Sequence, residues 1–256
     1  MEDNVYEFAK SIAKEAGQLL LEGLNKRMEI SRKSGPTDLV TQFDHASQEL
    51  IASRIREQYP GHSILAEEEL TENNGSTQWI VDPIDGTNNY VYGYPLFSVS
   101  IAIEDQDEMK IGVVHTPILN ETFSACKGQG AWLNGDQISV TQTENFKNSL
   151  LATGFPYDEK LVPEAIDLFS KLARKTLGIR RGGSAALDLS FLAAGRLDGF
   201  WELDLEPWDI AAGSLIVKEA GGKISDFQGN EHNIYKSRGI VASNGKIHGE
   251  LISRLS

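Results

Sequence analysis

Apolar residues recur at helical spacing from the start of the chain. Val5, Phe8, Ile12, Ala16, Leu19 and Leu20 share one face, with Lys10, Lys14, Glu15 and Glu22 elsewhere, which predicts an amphipathic helix ending near Gly23. A short strand over 28–32 and a turn at Lys33-Ser34-Gly35-Pro36 follow, then a second helix over 44–58. Its inward positions are Ala46, Leu50, Ile51 and Ile55, and Tyr59-Pro60-Gly61 stops it. Beyond it the pattern becomes that of strands. Runs at 63–66, 79–81, 97–103, 109–115 and 121–125 are apolar and rich in β-branched residues, and 104–107 reads as a hairpin turn. The glycine-rich stretch 128–135 adds a further strand and turn.

From residue 150 strands and helices alternate. A strand beginning at Leu150 breaks at Gly154-Phe155-Pro156, and a helix over 163–175 and a strand over 178–181 come next. Gly182-Gly183-Ser184-Ala185-Ala186 opens a helix running to Gly195, followed by a strand over 197–203. A further helix spans 206–219, with Pro207 in its first turn and Gly221-Gly222 behind it. The pattern predicts one domain over 1–256 of α/β (α+β layered) class. Helices against an antiparallel sheet fill about 1–145, and an α/β layer fills about 146–256.

Composition narrows the partners. A net charge of −13 over 256 residues repels a phosphate backbone, so no nucleic acid is expected. An acidic protein that handles phosphate needs metal ions as its positive charges. The lone Cys126 permits no internal disulfide, the acidic Met1-Glu2-Asp3-Asn4 is unlike a signal peptide, and no run is long enough for a membrane span. A cytoplasmic protein without membrane attachment is expected. Neither G-x-x-x-x-G-K-[ST] nor G-x-G-x-x-G occurs, and no two of the five histidines sit at zinc-ligand spacing, so His115 reads as a strand-end residue. Gly182-Gly183-Ser184-Ala185-Ala186 misses the G-x-S-x-G nucleophile elbow at Ala186, which argues against a serine hydrolase.

The candidate chemistry concentrates in Trp79-Ile80-Val81-Asp82-Pro83-Ile84-Asp85-Gly86-Thr87-Asn88-Asn89-Tyr90. A buried strand is expected to stop at Asp82-Pro83, because proline has no N–H to donate. Asp85-Gly86 then turns, and Thr87-Asn88-Asn89 can cap a helix. Two carboxylates about 4 Å apart repel by roughly 4 kcal/mol at an effective dielectric of 20, so a proton or a hard cation must sit with them. Read alone, the pair also fits an Asx-capped turn with one solvated acid. Likewise Glu67-Glu68-Glu69 fits a solvated strand edge, Asp44 a helix N-cap, and Glu202 an outward-facing strand residue.

The string Asp82-Pro83-Ile84-Asp85-Gly86-Thr87-Asn88-Asn89-Tyr90 resembles a signature of the inositol monophosphatase family, within the lithium-sensitive, magnesium-dependent phosphatases. Trp208-Asp209-Ile210-Ala211-Ala212-Gly213, with Glu219-Ala220-Gly221-Gly222 after it, resembles the family's second signature. The resemblance covers nearly the whole chain and implies an α-β-α-β-α sandwich with its active site between the halves. It implies a phosphomonoesterase acting on inositol monophosphate or a related small polyol or sugar phosphate by in-line attack of a metal-activated water. Metal would be held by Glu67, Asp82, Asp85, Asp209 and the carbonyl of Ile84. Glu67 and Thr87 would orient the water, and Asp44 would hold a weaker metal through water. Ala66 stands where the family has glycine before its Glu pair. Substrate would meet Asp85, Gly86, Thr87, Asp209, the helix opening at Gly183-Ser184-Ala185, and Glu202, which would accept a polyol hydroxyl. Magnesium (Mg2+), with Mn2+ able to substitute, lithium sensitivity and a homodimer are implied as well. Relatives of the fold also hydrolyse fructose bisphosphate, adenosine 3′,5′-bisphosphate or the 2′-phosphate of NADP. A non-catalytic phosphate-binding regulator is the alternative of a different class.

Overall fold

The computed structural model describes residues 2–33, 35 and 37–256. Its chain builds alternating layers, α-β-α-β-α. The outer helices α1 (Glu2–Gly23) and α2 (Gln42–Gln58) cover one face of an eight-stranded sheet. The sheet runs β10 (Asp136–Ile138), β9 (Ala131–Leu133), β8 (Glu121–Cys126), β7 (Glu108–Thr116), β6 (Ser98–Asp105), β5 (Thr77–Asp85), β3 (Ser63–Ala66), β4 (Leu70–Glu72). Every pairing is antiparallel except β3 with β5. On its other face lie α5 (Ala185–Ala193) and α6 (Pro207–Glu219), which also cover a five-stranded sheet, β12 (Gly178–Arg180), β11 (Leu150–Thr153), β13 (Gly199–Leu203), β15 (Gly239–Ser243), β14 (Lys223–Ser225). Helices α4 (Val162–Leu172) and α7 (His248–Leu255) close the far side. A small ribbon pairs β1 (Ile30–Arg32) with β2 (Leu39–Thr41), and a short α3 (Thr87–Val91) follows β5.

Strand periodicity distributes one strand's residues between two cores. Trp79 and Val81 of β5 join Val99, Ile101 and Val113 against Ile12, Leu20 and Ile51 of the outer helices. Ile80, the residue between them, joins Ala102 and Val114 against Leu189, Leu192, Ala212 and Ile216 of α5 and α6. In the smaller sheet Phe200 faces the same central helices, while Trp201 and Val241 face Leu168 and Leu251 outside.

Several elements differ from the pattern expected of the sequence. Strand β5 does not stop at Asp82-Pro83: a bulge shifts the register between Asp82, paired with Ser100, and Asp85, paired with Ser98. The bulge absorbs the proline that cannot donate to a ladder. Helix α2 buries Ser47 and Gln48 and leaves Ala46 exposed, because its inner face is partly polar. Ser47 donates to the Pro83 carbonyl and Gln48 brackets the backbone of Glu68. The five-stranded sheet is mixed, with β13–β15 and β15–β14 antiparallel. The first strand starts at Ile30 and α4 ends at Leu172. Of the turn expected at 33–36, Ser34 and Pro36 lie outside the described residues. Among the described residues no helix is long and apolar enough to cross a membrane.

Gly112 allows the central layer to seat. A Cβ there would lie 2.7 Å from the Ala212 carbonyl oxygen and 3.1 Å from its Cα, so β7 touches the backbone of α6 directly. Gly112→Ala must part the two layers, and overpacking of this kind typically costs about 1–3 kcal/mol. Urea denaturation should show that loss. An unchanged midpoint would mean that α6 can slide on the sheet.

Candidate active site

The bulge in β5 aims side chains of one strand end in several directions. Asp82, 2% exposed, turns back so that its Oδ1 accepts the Ile84 N–H at 2.9 Å. Gly86 then takes φ of 92°, left-handed, as the residue capping α3. A Cβ at Gly86 would sit 2.9 Å from the Gly183 carbonyl oxygen and 3.1 Å from that of Leu96, so only glycine closes this turn. The cap expected from Thr87-Asn88-Asn89 is thus a backbone one, and the Thr87 hydroxyl is released for another use. Its single proton lies within reach of Asp44 Oδ1 at 2.9 Å and the Ile84 carbonyl at 3.0 Å.

Three helix starts converge on this point. At α2 the N-cap is Thr41, and Asp44 is the third residue of a capping box, its Oδ2 accepting both the N–H and the hydroxyl of Thr41. Asp44 is fully buried with both oxygens engaged, so it reaches the cleft through Thr87, and a cation held through water would have to displace those partners. At α5 the Ser184 hydroxyl and the Ala185 and Ala186 N–H groups all donate to Asp85, at 2.5, 3.2 and 2.8 Å. A helix N-terminus favours an anion, and here that anion is the protein's own carboxylate. At α6 Asp209 closes a capping box with Glu206, its Oδ2 accepting the Glu206 N–H at 2.7 Å.

The result is a knot of like charge. Asp82, Asp85 and Asp209 each place one carboxylate oxygen within 4.8 Å of the others. Burial pushes Asp82 well above the ordinary carboxylate range, and Glu67, Asp85 and Asp209 push it further. Asp209 is raised in the same way by burial, Asp85 and Glu67. Burial takes Asp85 up to about 6 against the pull of Ser184 and the helix N–H groups. Glu67 is pushed up to about 7, mainly by burial, with Lys33 opposing. Of the three successive acids, Glu67 is the one that adjoins the cluster. Glu68 is tied by its backbone to Gln48, and Glu69 takes the left-handed conformation at φ of 53°.

These residues fit a divalent cation. Glu67 Oε1 accepts from Lys33 Nζ at 2.8 Å, but its buried Oε2 has no hydrogen-bond partner. An orphaned carboxylate oxygen beside three crowded acids is a costly arrangement without a counter-charge. The donor set is all oxygen, which suits a hard cation such as magnesium, manganese or calcium.

A cleft of about 1330 Å³ opens over the cluster, and every residue expected at the site lines it except Asp44, which lies beneath. Glu202 sits in its wall beyond Asp209, pushed up to about 8 by burial, Asp188 and Asp85. Sequence reasoning missed three neighbours. Lys33 pairs with both Glu67 and Glu68 from the far side of the cleft, and the acids hold its ammonium above its usual range despite burial. Asp188, on the first turns of α5, is another buried acid, pushed up to about 8. Asn89 donates to the Leu96 and Gly182 carbonyls and so fastens α3 to the second sheet. An acid at the start of a predicted helix is the only signal for Asp188, no local pattern points to Lys33, and the pattern at Asn89 points only to a helix cap. His115 is buried against Glu121 and Thr122, away from the acids, as expected of a strand-end histidine.

The model of the inositol monophosphatase family matches residues 1–256, and the chain belongs to that family. Nus factor SuhB of Pasteurella multocida is 41% identical over 247 residues, covering 95% of this chain and 92% of the relative. The fructose-1,6-bisphosphatase/inositol-1-monophosphatase of Thermotoga maritima is 40% identical over 246 residues, covering 96% and 93%. The crystal structure of the extragenic suppressor protein SuhB from Bartonella henselae superposes with a TM-score of 0.94 at 35% identity, covering 99% of this chain and 98% of that one. The family uses divalent metals, in keeping with the acidic cluster.

The buried acids make metal-free stability depend on pH. Glu67 titrates near 7 and Asp188 and Glu202 near 8 when folded, against about 4 when unfolded. Above about pH 6.5 the folded state therefore holds more protons than the unfolded one, and stability falls as pH rises. Below that, His115, His232 and His248, held down near 4, act in the opposite sense. Metal-free protein should melt several degrees lower at about pH 8.5 than at about pH 6.5, and magnesium should remove the part of the difference that Glu67 and the acidic cluster carry. A flat or rising melting temperature across that window would contradict this electrostatic account.

Proposed function

We propose that the protein is a magnesium-dependent phosphomonoesterase that hydrolyses inositol monophosphate or a related small polyol or sugar phosphate. The observation that carries this reading is the buried, partnerless Glu67 oxygen beside Asp82, Asp85 and Asp209. A regulator that only bound phosphate would have no use for that assembly. The Thermotoga maritima relative, named also for fructose 1,6-bisphosphate, keeps that substrate open, and adenosine 3′,5′-bisphosphate and the 2′-phosphate of NADP are further alternatives. Lithium sensitivity, a homodimeric state and a cytoplasmic location accompany the reading.

Asp82, Asp85, Asp209, Glu67 and the Ile84 carbonyl would hold the magnesium. When bound, magnesium supplies Lewis-acid chemistry, lowering the pKa of water and neutralising phosphate oxygens. The chain's own groups do the rest. Because Thr87 gives its proton to Asp44 or to the Ile84 carbonyl, its Oγ1 is left to accept from the attacking water. Glu67, whose Oε1 is held by Lys33, would orient that water beside the metal. The backbone N–H groups of Gly86 and Thr87, at the start of α3, contact the phosphate in this reading. Gly183, Ser184 and Ala185 form the adjoining wall, while Glu202 accepts a leaving-group hydroxyl.

Two outcomes test this. Hydrolysis of inositol 1-phosphate should vanish in EDTA and return with magnesium. Asp85→Asn or Asp209→Asn should lower the rate by more than about a hundredfold, beyond what loss of an outer partner costs, and Asp209→Asn should leave metal-free stability equal or higher. Turnover with verified absence of metal, or near-normal rates in either variant, would remove the cluster from the chemistry. Separately, Glu202→Gln should reduce kcat/KM for inositol 1-phosphate about tenfold, since leaving a buried hydroxyl without its partner costs roughly 1–3 kcal/mol. Equal losses on a simple aryl phosphate would take Glu202 out of leaving-group recognition.

A further inference from the structure

The carboxyl ends of three neighbouring parallel strands form the floor of the cleft beside the acidic cluster. Ala152 lies opposite Arg180 on one side, and Thr153 lies opposite Trp201 on the other. Continued past the ends of β11 and β12, those registers set Gly182, Gly154 and Glu202 in one row. Ala152 and Phe200 face the central helices, so alternation turns this row to the same side. Two of the three positions therefore carry no side chain where the sheet meets the cleft.

Neither glycine is demanded by its backbone, since neither has a positive φ. Each is demanded by a carboxylate. A Cβ on Gly154 would overlap the Glu202 carboxylate, carbon and both oxygens alike. A Cβ on Gly182 would come within 2.5 Å of Asp188 Oδ1 and 3.0 Å of its Cγ. Glu202 thus lies sideways across the end of β11, flat on bare backbone. Among the described residues no group donates a hydrogen bond to either of its oxygens, although it lines the cleft. A carboxyl held in place from below and open above is arranged to exchange hydrogen bonds with the hydroxyls of a bound molecule.

We propose that Gly154 is a specificity-determining position, which sets recognition of a polyhydroxylated leaving group by letting Glu202 lie across the end of β11. The inference rests on the phosphomonoesterase reading and names a positioning residue for it. An alanine methyl at 154 must lift the Glu202 carboxylate off the floor and into the space a leaving group would occupy. The displaced atoms are the far end of a flexible side chain, so the strand itself can stay as it is.

The test measures kcat/KM with magnesium for inositol 1-phosphate and for p-nitrophenyl phosphate, whose leaving group lacks a hydroxyl-bearing ring. The ratio of the two should fall about tenfold in Gly154→Ala and in Glu202→Gln, and no further in the double variant, because both act through one carboxylate. A crystal structure of Gly154→Ala should show Glu202 rotated away from β11. An unchanged ratio, two falls that multiply in the double variant, or an unmoved Glu202 would each overturn the proposal. Should Gly154→Ala fail to fold, Glu202→Asp withdraws the carboxylate from above Gly154 without touching β11, and it must lower the ratio similarly; an unchanged ratio there also overturns it. A wild-type protein inert toward both esters would overturn the phosphatase reading and this inference with it. An active wild type with a selectivity indifferent to position 154 would overturn this inference alone.

Discussion

Mutual repulsion among buried carboxylates is the constraint around which this molecule is arranged. Asp82, Asp85 and Asp209 crowd together with Glu67 beside them, and each would shed its charge if left to its surroundings. The scaffold meets the problem with a separate device for each acid. Asp85 is anchored on the N-terminus of α5, Asp209 is caught in a capping box at α6, Asp82 is folded back on the bulge of β5, and Glu67 is approached by Lys33. None of these partners neutralises the cluster as a whole. A site so built is incomplete electrostatically without a cation, which ties its stability to its occupancy.

The layers explain how such a cluster can be held still. Strand β5 divides its side chains between both cores of the large sheet, so its end cannot shift without disturbing the packing on either side. Helix α2 reinforces that end with polar contacts where an ordinary amphipathic helix would offer only apolar ones. From the other side, α5 and α6 are clamped between the two sheets before they deliver Asp209 and the groups that bind Asp85. Position is thus imposed from several layers at once.

Much of this was legible in the sequence, for a local reason. Asp82, Asp85, Gly86 and Thr87 fall within six residues, and Asp209 follows a proline that marks a helix start, so pattern and turn chemistry point at them directly. The alternation after residue 150 likewise announced the layered second half. What stayed hidden depends on distance in the chain. Proline at 83 argues for a strand end, and only the paired strand shows that a bulge carries β5 past it. Gly154 and Gly182 look like ordinary breaks until the strand registers bring them side by side, and Lys33 looks like part of a turn until the fold sets it opposite Glu67. Strands β14 and β15 and helix α7 lie beyond the last motif that carries candidate chemistry, so no such signal marks them.

The bond between Asp85 and the start of α5 has a consequence for how the molecule comes into being. Its partners are separated by 99, 100 and 101 residues, so the contact closes only when distant parts of the chain have met. Contacts of that sequence separation carry a large loop-closure cost and characterise slowly folding topologies. A nascent chain that has folded its first sheet still carries Asp85 unanchored, and Asp209 lies later again in synthesis. A chain that ends before residue 209, or has folded only its first sheet, therefore lacks part of the acidic cluster, and its metal chemistry comes late in its maturation.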